Sequence, residues 1–271
     1  MDLEVDLEKV IKSKNPKAAK FMPGFVIKYL KRIIRQEEIN YCLQEFSDKE
    51  GTEFIGEILK HIDVTGNSYG LENIDPDGRY VFASNHPLGG LDGLILACEI
   101  ENRFGKVKLV VNDLLMNLGP LKSLFVPVNK FGKQSTAYAR LLNEVFESDE
   151  QIIYFPFGLC SRKIKGKIQD GEWKKKFVSK AVESKRDIVP VYVDAKNSSF
   201  FYNLALFRKR IGIKVNIEML YLPDEMFKKE NSRIDIYFGK PIPWQNLKNG
   251  NHKLWAKKIR ETVYSLKKAP L

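Results

Sequence analysis

The chain has 271 residues, 44% of them hydrophobic and 29% charged, which is enough to bury a core and too apolar for a disordered chain. Lys and Arg number 45 against 34 Asp and Glu, a net charge of +11 that favours an anionic partner such as nucleic acid, a lipid surface or an acidic carrier protein. No apolar run approaches the ~18 residues of a membrane span, the acidic start Met1-Asp2-Leu3-Glu4 is no secretory signal, and Cys42, Cys98 and Cys160 form no CxxC pair, so a cytoplasmic chain with no metal site is expected.

Residues 9–36 carry nine basic side chains and no acidic one. After Pro23-Gly24 the spacing predicts a helix with Val26, Leu30 and Ile33 on one stripe and Ile27 and Ile34 beside it. Lys28, Lys31, Arg32 and Arg35 fall on the other side, and Phe21, Met22 and Phe25 form an apolar hook ahead of it. A basic amphipathic helix of this kind suits an anionic membrane surface. It equally suits a helix that packs on its own domain with a solvated basic face.

Residues 37–61 read as further helix. From residue 62 the texture changes. Strands are expected at 61–64, 80–83, 107–111, 151–155, 188–193, 216–220 and 234–238, with helices at 94–102, 137–147, 174–184 and 253–266. This alternation predicts an α/β fold with a mixed, largely parallel sheet flanked by helices. The expected organisation is an N-terminal helical, membrane-associating segment, 1–60, ahead of an α/β domain, 61–271.

The chemistry concentrates in residues 82–93, Phe-Ala-Ser-Asn-His-Pro-Leu-Gly-Gly-Leu-Asp-Gly. A strand ends, a Pro/Gly-rich loop follows and a helix begins, and α/β folds place their sites at such strand ends. His86 sits at the carboxyl end of the strand, and Asp92 near the helix N-terminus, where a carboxylate is favoured. A His bonded to an Asp through one ring nitrogen keeps the other free as a base. Taken alone, the pair is better explained by loop capping.

Further blocks change that balance. Asn85-His86 with Asp92 resembles the His–Asp motif of the glycerolipid acyltransferases, the lysophosphatidate acyltransferase-like superfamily. Residues 155–162, Phe-Pro-Phe-Gly-Leu-Cys-Ser-Arg, resemble that family's Phe-Pro-Glu-Gly-Thr-Arg-Ser block. Leu118-Gly119-Pro120 with residues 125–130, Ile188-Val189-Pro190-Val191, and Phe238 to Ile242 resemble its remaining blocks in order. The resemblance covers about residues 60–245. It implies His86 and Asp92 as the catalytic pair, and Asn85, Lys130, Phe157, Gly158, Ser161 and Arg162 as substrate-side residues.

Three departures qualify the likeness. Five residues separate His86 from Asp92 where the family commonly has four, and Gly89-Gly90 can absorb the extra one. Phe157 and Cys160 stand where Glu and Arg usually help hold a glycerol-phosphate acceptor, and Lys130 stands for an Arg. The pattern is most similar to the lyso-ornithine and lyso-glycine lipid O-acyltransferase branch, often labelled hemolysin-like, whose acceptor is a hydroxyl on an amide-linked fatty acid.

The resemblance implies transfer of an acyl group from an acyl carrier protein or CoA thioester to a lyso-lipid, best matched by a lyso-aminolipid. No cofactor beyond the thioester co-substrate is expected. The alternatives are a lysophosphatidate or glycerol-phosphate acyltransferase, or a non-catalytic membrane- or carrier-binding homologue. No nucleic-acid motif accompanies the charge, so nucleic acid is not an expected partner. The expected location is peripheral, on the inner face of the cell membrane. Ser161 lacks a nucleophile elbow and reads as a loop residue. Cys160 reads as a small buried residue, Trp173 as a solvated helix start, and Phe200, Phe201, Tyr202 and Phe207 as core.

Overall fold

A computed structural model describes residues 4–14, 16–128 and 136–268. Five helices open the chain: α1 (Leu7–Lys14), α2 (Pro16–Phe21), α3 (Gly24–Ile33), α4 (Gln36–Glu45) and α5 (Gly51–His61). The α/β part follows as β1 (Val64–Tyr69), β2 (Tyr80–Ser84), α6 (Leu91–Phe104), β3 (Val107–Asn112), β4 (Phe125–Val128), α7 (Thr136–Glu147) and β5 (Gln151–Tyr154). A small hairpin comes next, β6 (Arg162–Ile164) and β7 (Lys167–Gln169). The chain closes with α8 (Lys176–Glu183), β8 (Asp187–Asp194), α9 (Ser199–Arg210), α10 (Leu222–Phe227), β9 (Ser232–Phe238), α11 (Trp244–Lys248) and α12 (His252–Ser265).

Seven strands form one sheet in the order β1-β9-β8-β2-β5-β3-β4, parallel throughout except for the antiparallel pair β8–β9. This is the mixed, largely parallel sheet that the alternation predicts. The central strands are buried on both sides, as parallel strands covered by helices must be. On β2, Phe82 faces a core shared with α4, α5 and α6, while Val81 and Ala83 face one shared with α7, α8 and α12. Cys42, Leu43, Phe54, Ile55 and Ile58 lie in the first of these cores beside Ile95, Val191 and Ile236. The division at residue 60 therefore marks a change of element type, not a break in the core.

In α3, Val26 and Leu30 are half-buried and Ile33 is buried, so the apolar stripe turns toward the protein. Arg35 pairs with Asp224 at 2.9 Å and Glu38 at 2.5 Å, and Lys31 pairs with Glu8 at 2.6 Å. Lys28, Arg32, Phe21 and Phe25 stay exposed.

Two expected strands are corrected. Residue 61 belongs to α5, and β1 begins only at Val64. β1 is an edge strand with β9 as its neighbour, and Thr-Gly-Asn-Ser carries little apolar pattern to announce it. Where a strand was expected at 216–220, residues 217–221 form a 3-10 turn leading into α10, where Pro223 sits in the first turn. The segment from Ser199 to Arg210 is helical; Phe201 and Tyr202 are core, but Phe200 and Phe207 are exposed. Trp173 is buried rather than solvated.

At the end of the sheet away from the loop 85–92, Arg186 is wholly buried, and among the described residues no carboxylate is in hydrogen-bond contact with it. Its guanidinium donates to the carbonyls of Phe146 and Glu150 at 2.8 Å each, and also to those of Tyr80 and Ser148. It thereby ties α7, β5 and β2 together through backbone carbonyls, those of Phe146 and Ser148 being shared with Arg79. Burial, with Arg79 nearby, pushes its pKa down to about 10, so it remains charged at neutral pH. Arg186→Met should lower stability by on the order of 3 kcal/mol in urea unfolding, because several carbonyls lose a donor. Arg140→Ala, which removes only an exposed pair with Glu144, should stay within about 0.5 kcal/mol of wild type.

Candidate active site

β2 lies between β8 and β5, so the loops leaving the carboxyl ends of these three parallel strands converge. Asn85 is the hinge of that departure. Its carboxamide donates to the Val193 carbonyl at 2.9 Å and accepts the Val193 N–H at 2.7 Å. A side chain thus continues the β2–β8 ladder where the backbone turns away from it. Sequence reasoning placed Asn85 beside substrate; its amide is committed to β8.

The next residue, His86, meets Asp92 with Nδ1 3.1 Å from Oδ2. Asp92 is completely buried, in the first turn of α6. Its Oδ2 also accepts the Leu88 N–H at 2.9 Å and the Gly89 N–H at 3.4 Å, and its Oδ1 accepts the Gly93 N–H at 3.0 Å. Burial works against the charge, but His86 and the N–H groups of Leu88 and Gly93 outweigh it and hold the carboxyl below the usual carboxylate range. An ionised carboxylate can only accept, so Nδ1 carries the proton and Nε2 presents its lone pair. Among the described residues no hydrogen-bond partner occupies Nε2. The imidazole also stacks on Phe155, with ring centroids 3.9 Å apart, which fixes the ring plane.

The extra residue of this loop is accommodated at Gly89, whose φ is +76°. A Cβ there would also lie 2.8 Å from both methyls of Leu222, so glycine is required twice over.

Behind His86 lies a second buried carboxylate that sequence reasoning did not single out. Asp170 Oδ1 accepts the Ser161 hydroxyl at 2.5 Å and the main-chain N–H of His86 at 3.4 Å. Its Oδ2 accepts the indole N–H of Trp173 at 2.9 Å. The Tyr264 hydroxyl, 2.7 Å from the Asp170 N–H, and Arg260, on its carbonyl, hold the backbone. Burial pushes the Asp170 carboxyl above its ordinary range, only partly offset by these donors. Ser161 completes the clamp, its own N–H donating to the His86 carbonyl at 2.7 Å. An Asp-Gly-Glu-Trp run reads as a turn, and only the tertiary contact reveals Asp170 as a support.

The other candidates lie around this centre. Arg162 Nη2 is 3.0 Å from Glu218 Oε1, and Arg208 takes the other oxygen of that buried carboxylate at 2.7 Å. The Arg162 guanidinium also lies over the Phe201 ring. The Phe157 ring covers Gly171, where a Cβ would come within 2.5 Å of it. Gly158 is exposed, with φ +70°, and its N–H closes a turn onto the Phe155 carbonyl at 3.0 Å. Cys160 is buried, its thiol donating to the Pro87 carbonyl at 3.2 Å, and burial with Asp92 nearby raises its pKa well above the ordinary thiol value. It is therefore no nucleophile. Lys130 falls outside the described residues.

Residues 9–270 match the sequence family described as acyltransferase. The chain is 47% identical over 264 residues to a lyso-glycine lipid O-acyltransferase of Bacteroides thetaiotaomicron, covering 97% of both proteins. It is 45% identical to a lyso-glycine lipid O-acyltransferase of Phocaeicola vulgatus, covering 97% of this chain and 95% of that one. The crystal structure of the 1-acyl-sn-glycerophosphate acyltransferase PlsC from Thermotoga maritima shares the fold, with a TM-score of 0.52 at 14% identity over 98% of this chain and 97% of that one.

The depressed Asp92 carboxyl makes a signed prediction. Its folded-state pKa lies below the unfolded value, so its stabilisation is present above the ordinary carboxylate range and is lost as pH falls through the folded value. Asp170, shifted upward, contributes in the opposite sense and is common to both proteins compared. Asp92→Asn should therefore melt clearly below wild type at pH 7, and the gap should narrow at about pH 3. Thermal melts across that range decide the matter: a gap independent of pH would mean that Asp92 is not held ionised.

Proposed function

The chain belongs to the acyltransferase family, and on that premise we propose that it moves a fatty acyl group from an acyl carrier protein or CoA thioester to the hydroxyl of a lyso-lipid, specifically a lyso-aminolipid. The observation that carries the chemistry is the His86–Asp92 pair, with Nδ1 engaged and Nε2 free. Nε2 takes the proton of the acceptor hydroxyl as its oxygen attacks the thioester carbonyl. The tetrahedral adduct collapses, the carbon–sulfur bond breaks, and the imidazolium returns the proton to the departing thiolate. Asp92 stabilises that imidazolium and keeps the ring in one tautomer. The thioester is the only co-substrate this scheme draws on.

Acceptor choice is argued from what surrounds the pair. A phosphate head calls for fixed, available cations, ideally a bidentate Arg. Phe157 offers an apolar ring, Cys160 a buried thiol, and Arg162 a guanidinium already engaged by Glu218 and by the carbonyls of Cys160 and Ser161. Such a wall suits the apolar stem of an amide-linked lipid better than a glycerol phosphate. The two relatives named above, both lyso-glycine lipid O-acyltransferases, support the same choice.

The proposal places the enzyme at the inner face of a membrane, where a lyso-lipid resides. No helix among the described residues is long and apolar enough to cross a membrane. The net charge of +11, with Lys28 and Arg32 exposed on α3, favours an anionic surface.

Side-by-side assays with a labelled acyl-carrier thioester test this reading. Transfer to a lyso-aminolipid should run at least ~10-fold faster than to lysophosphatidate, since a phosphate head finds no free bidentate partner. His86→Ala should lose at least ~10²-fold in rate while its circular dichroism still reports the native fold, at a lower melting temperature because buried Asp92 loses a partner. Equal rates on lysophosphatidate would overturn the acceptor assignment, and an active His86→Ala would overturn the site.

A further inference from the structure

Residues 206–215, Leu-Phe-Arg-Lys-Arg-Ile-Gly-Ile-Lys-Val, span the end of α9 and the loop beyond it. The stretch holds four basic residues, no acidic one, and five large apolar ones. Every one of those five is substantially exposed, with Phe207 59%, Ile211 52% and Val215 71% accessible. Single exposed apolar residues are ordinary; a contiguous group ringed by cations is not.

The loop is built rather than loose. Gly212 adopts φ +79°, the Ile213 N–H donates to the Arg208 carbonyl at 3.1 Å, and the Arg208 guanidinium returns a bond to the Ile213 carbonyl at 2.9 Å. Arg208 is further held by the buried Glu218. That leaves Lys209, Arg210 and Lys214 with their charges turned to solvent.

The apolar group also runs toward the candidate active site. Phe200, Leu204, Phe207 and Ile211 recur at helical spacing, along a side of α9 distinct from its buried face of Phe201, Ala205 and Arg208. Phe200 packs its ring edge-on against Tyr221, 5.0 Å between centroids, and the Tyr221 hydroxyl lies 2.5 Å from that of Tyr29 on α3. Tyr29 shares its stripe of α3 with Phe25 and Arg32. A cavity of about 350 Å³, lined by Tyr29, Arg32, Phe200 and Tyr221 among others, marks where the two stripes meet. The residue after Tyr221, Leu222, is the one that packs against Gly89 of the His86 loop.

We propose that residues 206–215 are a second membrane-docking element, inserting Phe207, Ile211 and Val215 among the lipids while Lys209, Arg210 and Lys214 engage anionic headgroups, and that with the Phe25–Tyr29 stripe of α3 they form one face leading to His86. The inference rests on the lyso-lipid reading of the function. An acidic carrier protein is the competing occupant of a basic surface. The number and exposure of the apolar side chains favour the bilayer, because carrier docking driven by charge leaves no use for five exposed hydrophobic groups on one loop.

The test uses the full chain with vesicles of phosphatidylglycerol and phosphatidylcholine. The variant Phe207→Ser/Ile211→Ser/Val215→Ser should co-sediment at least tenfold more weakly, and Lys209→Gln/Arg210→Gln/Lys214→Gln should do so at low salt but differ little from wild type at high salt. Phe207→Trp should gain fluorescence quenching by brominated lipid beyond that of the native tryptophans. On a water-soluble, short-chain lyso-lipid the triple variants should keep wild-type turnover, and that arm also reports whether the acyl-transfer reading itself holds. Wild-type co-sedimentation of both triple variants, or no added quenching of Phe207→Trp, overturns the proposal. Unchanged vesicle binding with a raised KM for the carrier thioester would instead assign the face to the carrier protein and likewise overturn it.

Discussion

A carboxylate removed from water has to be answered by donors on every side, and Asp92 imposes that demand on the whole loop between β2 and α6. Its two oxygens collect the His86 ring and the N–H groups of Leu88, Gly89 and Gly93. To deliver those N–H groups the backbone must curl around the carboxylate, and Gly89 supplies the left-handed turn. The curl also needs room. A side chain at Gly93 would begin 3.2 Å from Leu109 of β3 and 3.4 Å from Phe155, the ring on which His86 stacks. One buried charge thus sets the tautomer of the base, the shape of its loop and the distance of α6 from the sheet.

Asp170 does comparable work from the opposite side, under different electrostatics. Asp92 faces an imidazole, a group that can become cationic, and its donors hold it ionised. Asp170 faces a hydroxyl, an indole and a peptide N–H, and burial raises its pKa. A neutral or ionised Asp170 can serve the same structural end, because its contacts fix the His86 peptide rather than the imidazole. Asp92 therefore bears on the His86 imidazole and Asp170 on the His86 peptide. Ser161 joins the two halves of that support through its hydroxyl and its N–H.

The central strands and the His86–Asp92 pair were legible in the sequence because each expresses a local rule. Residues 80–83, 107–111 and 188–193 are β-rich runs buried on both faces, and a His-loop-Asp at a strand end is visible without coordinates. What stayed hidden depends on tertiary contact. β1 is a polar edge strand whose pairing with β9 is set by position in the sheet, not by composition. The 217–221 turn has apolar residues at alternate positions, but Glu218 between them points into the protein because two arginines wait there. Asp170, Trp173 and Tyr264 lie up to 94 residues apart in the chain, and each is unremarkable in its own neighbourhood. The amphipathic pattern of α3 was legible, and of its two readings the structure shows the one in which the apolar stripe packs on the protein itself.

On the proposed reading, the parts that perform the reaction are separate from those that choose the substrate. His86, Asp92 and the stacked Phe155 are all held by backbone or by buried partners, so their geometry tolerates little variation. The positions where this chain departs from the glycerolipid pattern, Phe157 and Cys160, touch different neighbours. Phe157 lies over Gly171, which is next to Asp170, and Cys160 bonds the Pro87 carbonyl just beyond His86. Both replacements exchange a charged side chain for packing against the very segments that position the base. A carboxylate at 157 would need its own donors beside the upward-shifted Asp170, and like charges there would repel. On the proposed reading, the absent acceptor clamp and the packed apolar wall are one change seen from two sides, and that wall is what an acceptor with a long amide-linked chain would meet.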